Sequence, residues 1–336
     1  MLHRRIKIAR ALRPAQALLP LSSLVLLGGC NMQVLAPAGD VARQQANLLI
    51  VSTILMLLII IPVMALTALF AWRYRASNRA VEHRPDWDHS TALELVIWSA
   101  PLLIIIALGA ITWISTHTLD PYRRLSRIAP GQTIAANTKP LEIDVVALDW
   151  KWLFIYPEQG VATVNKLVLP VNREVRFRIT SSAVMNSFYI PALAGQIYAM
   201  PAMETKLHAV LNKTGTFEGF SANYSGAGFS GMHFLTTGVD AAGFAAWVAQ
   251  TKAAGGALDH DTYVKLALPS ENVPPQAWAA VDNRLFDQIV TLCVTPGPQC
   301  MESWNGEKPM HDMPMTPPPL PADDASRHSS AQPHHG

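Results

Sequence analysis

Two long stretches of the chain carry no charged residue, Gln44 to Trp72 and Leu95 to Thr116. A helix needs roughly 20 apolar residues to cross a bilayer, so the pattern predicts transmembrane helices over 47–72 and 93–116. Core helices of a soluble protein rarely run so far without a charge. Pro62 and Pro101 fall inside these runs and are expected at kinks, with packing partners that re-satisfy the freed backbone groups.

Beyond Asp120 the period changes. Val175, Phe177 and Ile179 alternate with Arg176, Arg178 and Thr180, as in a strand with one wet face. Similar runs at Leu141–Ala147, Val164–Leu169, Ala183–Ile190, Lys206–Leu211 and Phe217–Ala222, divided by Gly, Pro and Asn, predict an all-β sandwich or barrel over 120–238. After Gly238, Asp240 is placed to cap a helix with Phe244, Trp247 and Val248 on one face. A second helical stretch is expected from Gln276 to Ile289, so 239–303 reads as a helical extension. Residues 304–336 are rich in Pro, Met, His and Ser, and read as a disordered tail.

The amino terminus gives the address. Arg4, Arg5, Lys7, Arg10 and Arg13 precede the apolar run Ala15 to Leu27, which leads into Leu27-Gly28-Gly29-Cys30. A basic segment, an apolar segment and small residues before a cut make a secretion signal over 1–29. The Cys after Leu-Gly-Gly resembles a lipoprotein processing site, against the alternative of a buried Cys in a short apolar helix. Cys30 is then the lipidated, palmitate-bearing N-terminus, and 30–46 is a periplasmic segment. By parity the first span runs inward, 73–92 is a cytoplasmic loop, and the second span returns the chain to the periplasm.

Arg73, Arg75, Arg79 and Arg84 in that loop follow the positive-inside preference, although Arg123, Arg124 and Arg127 follow the second span on the other side. The chain is thus expected to be a multi-pass lipoprotein of a bacterial inner membrane. Loss of 1–29 removes five basic residues and no acid, so the formal net charge falls from +2 to −3. No basic surface for nucleic acid is implied. Cys293 and Cys300 are an even pair in an oxidising compartment, read as a disulfide, with two free thiols or a metal site in the tail as alternatives.

Two segments carry a resemblance. Leu93-Glu94-Leu95-Val96-Ile97-Trp98-Ser99-Ala100-Pro101, at the entrance of the second span, and Asp149-Trp150-Lys151-Trp152-Leu153-Phe154-Ile155-Tyr156-Pro157, after the two-helix hairpin, resemble subunit II of the haem–copper respiratory oxidases. The resemblance covers about 30–249, and the region after it resembles the extra C-terminal segment of the quinol-oxidising branch. It implies a two-helix transmembrane hairpin plus an all-β, cupredoxin-like periplasmic domain with a short helical C-terminal extension.

In the cytochrome c-oxidising branch that domain holds a dinuclear copper centre through a His-Ser-Phe segment and a Cys-x-Glu-x-Cys-x-x-x-His-x-x-Met loop. Here Asn186 stands at the first His, Ser221 and Ser225 at the thiolates, Asn223 at the Glu and Phe229 at the second His, while Met232 alone keeps its type. Redox copper needs thiolate and imidazole donors, and a lone thioether is better read as an apolar gap-filler. His233 falls one residue outside the ligand pattern. The domain is therefore expected to bind no copper.

The resemblance then points to the ubiquinol oxidase, cytochrome bo-type branch. It implies a non-catalytic chain that braces and caps subunit I, with no complete active site and no cofactor of its own. Haems, copper and quinol chemistry are expected in subunit I, smaller membrane subunits and lipid are expected partners, and cytochrome c is not. The complex would oxidise ubiquinol, reduce oxygen to water and pump protons. Two other readings are a cytochrome c oxidase subunit with an atypical metal site and a copper-binding membrane lipoprotein.

Glu94, at the first turn of the second span, is either the entrance of a proton pathway or an interfacial carboxylate at the positive end of a helix. Trp150 and Trp152 are either relay groups by resemblance or interface anchors against subunit I. Met310, His311, Asp312, Met313 and Met315, with His328, His334 and His335, offer copper-binding donors or a solvated tail.

Overall fold

The computed structural model describes residues 33–82, 86–135, 137–294 and 300–301. The expected signal segment, Cys30, Arg84 and the Met/His tail lie outside the described residues.

Helices α1 (Asp40–Arg73) and α2 (Thr91–Thr118) are the two apolar runs, long and apolar enough to span a membrane. Their surfaces present Leu58, Met64, Leu95 and Ile105 outward, as hydrocarbon contact requires. α1 starts at Asp40, earlier than the hydropathy pattern places it. Its 34 residues measure about 51 Å, against about 30 Å of hydrocarbon. The surplus turns dock under the β-domain, burying Asp40, Val41, Ala42 and Ala46. Gly39 allows the approach, since a Cβ there would lie 2.5 Å from the Val210 carbonyl oxygen. Small residues packing on protein, rather than lipophilicity, extend this helix beyond its apolar run. Pro62 and Pro101 lie within continuous helices; Pro62 is exposed, so the partner expected around it is not found among the described residues.

The strands of the sandwich are β1 (Leu141–Leu148), β2 (Lys151–Tyr156), β3 (Val161–Val164), β4 (Lys166–Pro170), β5 (Glu174–Ser181), β6 (Asn186–Tyr189), β7 (Ile197–Ala199), β8 (Thr205–Val210), β9 (Gly215–Ser221), β10 (His233–Val239) and β11 (Gln276–Trp278). They form a six-stranded sheet, β8-β5-β1-β2-β3-β11, facing a five-stranded sheet, β4-β10-β9-β6-β7. This is the expected β-sandwich. The run Val164–Leu169 is divided by Asn165 at φ 53°, a left-handed conformation that Asn tolerates. Asn165 accepts the Trp152 N–H at 2.8 Å and donates to the Val273 carbonyl at 2.8 Å, fixing the point where the chain changes sheets.

The region after the sandwich is more than an appendage. Helices α3 (Ala241–Ala253), α4 (His260–Ala267) and α5 (Leu285–Val290) follow, with α3 capped by Asp240, whose Oδ1 accepts the Gly243 N–H at 2.7 Å. The helix expected over 276–289 forms only at its end, as α5: Gln276–Trp278 is instead edge strand β11, paired antiparallel with β3. α5 and Tyr263 cover the outer face of the six-stranded sheet through Leu258, Leu285, Phe286 and Ile289. The central strands are thus buried on both faces, which is why β1 and β2 read as near-continuous apolar runs.

The same layer explains a buried lysine. Lys151 is 1% exposed and donates to the Leu268 carbonyl (2.8 Å), Ser270 Oγ (2.6 Å) and the Asp149 carbonyl (3.0 Å), tying extension to sandwich. Burial pushes its ammonium below the usual lysine range. Cys293 and Cys300 are joined in a disulfide.

Candidate functional site

The loop between β9 and β10 and the start of β6 bring the suspected ligand positions together. Ser221 Oγ donates to Asn186 Oδ1 at 3.0 Å, with the Asn223 carbonyl a second acceptor at 3.2 Å. Asn186 and Ser221 are both buried. Asn186 Nδ2 donates to the Val184 carbonyl, and Asn223 Nδ2 to the carbonyls of Met185 and Tyr224. Ser225 Oγ lies 4.0 Å from the sulfur of Met232, which is buried in the core cluster of the sandwich. Phe229 turns away and packs edge-on against Tyr224, ring centroids 5.6 Å apart. His233 also stays outside, held by Glu218 at 2.8 Å and the Ser230 carbonyl at 3.0 Å.

These side chains do not fit a dinuclear copper centre. Asn186, Ser221, Asn223 and Ser225 are neutral amides and hydroxyls engaged with one another, with backbone carbonyls and with the Met232 sulfur. None of the six ligand positions supplies a thiolate or an imidazole, and the His233 ring is held outside by Glu218. Among the described residues no group of three or more His, Cys, Asp or Glu converges on a metal-sized site.

What the loop does instead is seat Trp150. Its indole N–H donates to the Ser225 carbonyl at 2.9 Å. A Cβ on Gly228 would lie 2.6 Å from the Trp150 ring and 2.7 Å from Glu271 Cγ, and one on Gly231 would lie 2.5 Å from Asn272 Oδ1. Gly226 alone of the three needs a positive φ, 112°. The glycines of this loop therefore serve close approach more than turning. Glu271 and Asn272 come from the C-terminal extension, and nothing in their Pro- and Ser-rich surroundings marks them as neighbours of the loop.

Trp152 requires a correction. It is fully buried within this chain, between Phe188 (5.4 Å) and Phe234 (5.7 Å), and cannot anchor a partner. Along β2 it shares the inner face with Phe154 and Tyr156, while Leu153 and Ile155 point to the outer layer. Glu94 sits in the first turn of α2, half exposed, with Oε1 2.7 Å from His89 Nδ1.

A strongly perturbed carboxyl lies under α5. Arg178 on β5 donates to Glu204 (2.8 Å) and Asp287 (3.1 Å), lies 3.5 Å from Asp144, and stacks over Phe286 at 4.6 Å. Burial raises the Asp144 carboxyl to about 7; Arg178 opposes the shift, while Glu204 and Asp287 add to it. A folded-state pKa above the unfolded one favours folding while the group is protonated, and that contribution is lost as pH rises from about 4 through about 7. Asp144→Asn is therefore expected to flatten this loss and to stabilise the chain at pH 8 by roughly 2 kcal/mol. Unfolding midpoints of wild type and variant at pH 5 and 8 check it; parallel profiles would reject it.

Residues 137–239 match the protein family described as cytochrome c oxidase subunit II, periplasmic domain, and residues 252–297 match the COX aromatic rich motif. The β-sandwich is thus of the cupredoxin-like type. The chain is 51% identical over 295 residues to the cytochrome bo(3) ubiquinol oxidase subunit 2 of Pseudomonas putida, covering 88% of each. It is 50% identical over 270 residues to the ubiquinol oxidase subunit 2 of Acetobacter aceti, covering 80% of this chain and 85% of that one. Among solved structures, the periplasmic domain of subunit II of a Bradyrhizobium japonicum cytochrome oxidase aligns with 34% of this chain and 96% of its own length, at 25% identity and a TM-score of 0.33.

Proposed function

The chain belongs to the ubiquinol oxidase subunit 2 family, and from that premise we propose that it is the copper-free second subunit of a proton-pumping quinol oxidase. One observation carries the choice of electron donor. Where a copper-bearing relative would present thiolate and imidazole, this chain presents the hydrogen-bonded pair Ser221 and Asn186. Without a metal there, electrons from cytochrome c have no port on this subunit. Ubiquinol delivers them instead to subunit I, which holds the haems and copper.

The work left to this chain is mechanical. α1 and α2 brace subunit I in the membrane, the sandwich and its extension cap it outside, and smaller membrane subunits complete the assembly. Lipid on Cys30 fixes the N-terminus to the periplasmic leaflet of the inner membrane. No cofactor is held on this chain, and neither cytochrome c nor nucleic acid is a partner.

The experiment is to purify the complex in detergent and measure its metal content and its oxygen consumption with quinol and with reduced cytochrome c. Quinol-supported respiration, with copper confined to subunit I, is the expected result. Oxidation of cytochrome c, or copper stoichiometric with the periplasmic domain, would overturn the proposal.

Glu94 is the proposed entrance of a proton pathway into subunit I. Its exposed place in the first turn of α2 lets it exchange protons with the cytoplasm. Glu94→Ala is expected to slow proton uptake by the assembled oxidase roughly a hundredfold, the lower end for losing one positioned proton-transfer group. Unchanged turnover and pumping would leave Glu94 as an interfacial carboxylate.

A further inference from the structure

A polar cavity of ≈ 280 Å³ opens where α1 and α2 meet the underside of the β-domain. Its floor is electrostatically closed. Buried Asp40 takes Arg127 at 2.8 Å and the Gln44 amide at 2.8 Å. Buried Glu174 takes His208 at 2.9 Å, the Leu125 N–H at 3.1 Å and Arg124 at 3.3 Å.

The mouth is different. Among the described residues Arg123 makes no ion pair and holds only the His117 carbonyl, at 3.3 Å. Asp120 likewise makes no ion pair, and its Oδ1 accepts the Tyr122 N–H at 2.9 Å. One uncompensated guanidinium and one uncompensated carboxylate thus share an opening at the level where the helices leave the membrane.

Below that opening an apolar groove of ≈ 520 Å³ runs along α2 past Ile105, Gly109, Thr112 and Trp113 to His117. His117, at the upper end of the groove, is the residue whose carbonyl Arg123 holds, so the guanidinium stands over that end. A Cβ on Gly109 would touch nothing within 4 Å; the groove is open there. Basic residues just outside a span run against the positive-inside preference, so membrane orientation does not account for Arg123.

We propose that this cavity and groove bind a zwitterionic phospholipid of the periplasmic leaflet. Its phosphate sits on Arg123, its ammonium on Asp120, and one acyl chain lies along α2. Guanidinium forks match phosphate oxygens. The two free charges are of opposite sign, which suits a phosphate–ammonium headgroup better than a purely anionic one. The lipid on Cys30 carries no phosphate and would leave Arg123 unpaired. The assignment rests on α1 and α2 lying in the membrane as proposed above.

The test uses the assembled oxidase, purified in mild detergent and exposed to vesicles of phosphatidylethanolamine or of phosphatidylglycerol. Retained lipid is counted by native mass spectrometry. Wild type should hold a phospholipid that is lost in Arg123→Gln and in Gly109→Leu with the subunits still together, and should prefer phosphatidylethanolamine. Asp120→Asn should shift the preference toward phosphatidylglycerol.

Equal retention in wild type and both variants overturns the proposal. So does failure of Gly109→Leu to co-purify with its partners, since the groove then belongs to a partner helix. A lipid that stays on the chain after denaturation assigns the site to Cys30 instead, and a wild-type preference for phosphatidylglycerol overturns the zwitterionic assignment. Quinol-dependent oxygen consumption on the same samples reports separately on the function proposed above.

Discussion

The variant carrying Asn186→His, Ser221→Cys, Asn223→Glu, Ser225→Cys and Phe229→His together, with Met232 kept, is expected to acquire copper with the strong visible absorption of copper–thiolate bonds. The backbone already places these positions for the task. Ser221 and Asn186 touch at 3.0 Å, and Ser225 reaches Met232 at 4.0 Å. The loop between them is clamped by the Trp150 bond to Ser225 and by the extension against Gly228 and Gly231. What is missing is donor softness and charge, which two thiolates and two imidazoles supply.

Phe229 is the position that must move most, because its ring now packs on Tyr224. Ser221→Cys alone should bind copper too weakly to survive dialysis, since affinity comes from the full donor set. Copper per chain after dialysis and the visible spectrum decide the matter. If the fivefold variant folds and stays colourless, the loop has lost the shape as well as the ligands.

How much of this was legible in the sequence depended on what each signal encodes. Charge-free runs report solvent, so both spans stood out. Where α1 gains extra turns by packing Val41, Ala42 and Ala46 on protein, hydropathy is blind. Alternation located β5, but it could not show that Asn165 breaks one apolar run into strands of two sheets. The third layer was hidden for the same reason: Gln276–Trp278 has no period long enough to separate an edge strand from a helix, and its partner β3 lies more than a hundred residues earlier in the chain.

The ligand positions were readable only through the resemblance, because Ser and Asn carry no chemical signature of a metal site. Their mutual hydrogen bonds arise only where the fold pairs β6 with β9. The Asp144–Arg178 node and the cavity under the domain are likewise products of tertiary neighbours.

Trp152→Ala is expected to destabilise the chain by about 3–5 kcal/mol, whereas Trp152→Phe should cost less than about 1.5 kcal/mol. The ring fills the centre of the sandwich against Phe188 and Phe234, so truncation opens a large cavity among residues held by both sheets. The indole N–H, however, is buried without an acceptor among the described residues. An unsatisfied buried donor costs about 1–3 kcal/mol, and phenylalanine removes that cost while keeping most of the ring. The two variants therefore separate packing from any role of the indole itself. Unfolding of the assembled oxidase, with quinol turnover measured well below the transition, gives both readouts. A core role predicts that Trp152→Phe keeps full turnover and near-normal stability. Loss of turnover with stability intact would give the Trp152 indole a part in turnover beyond packing.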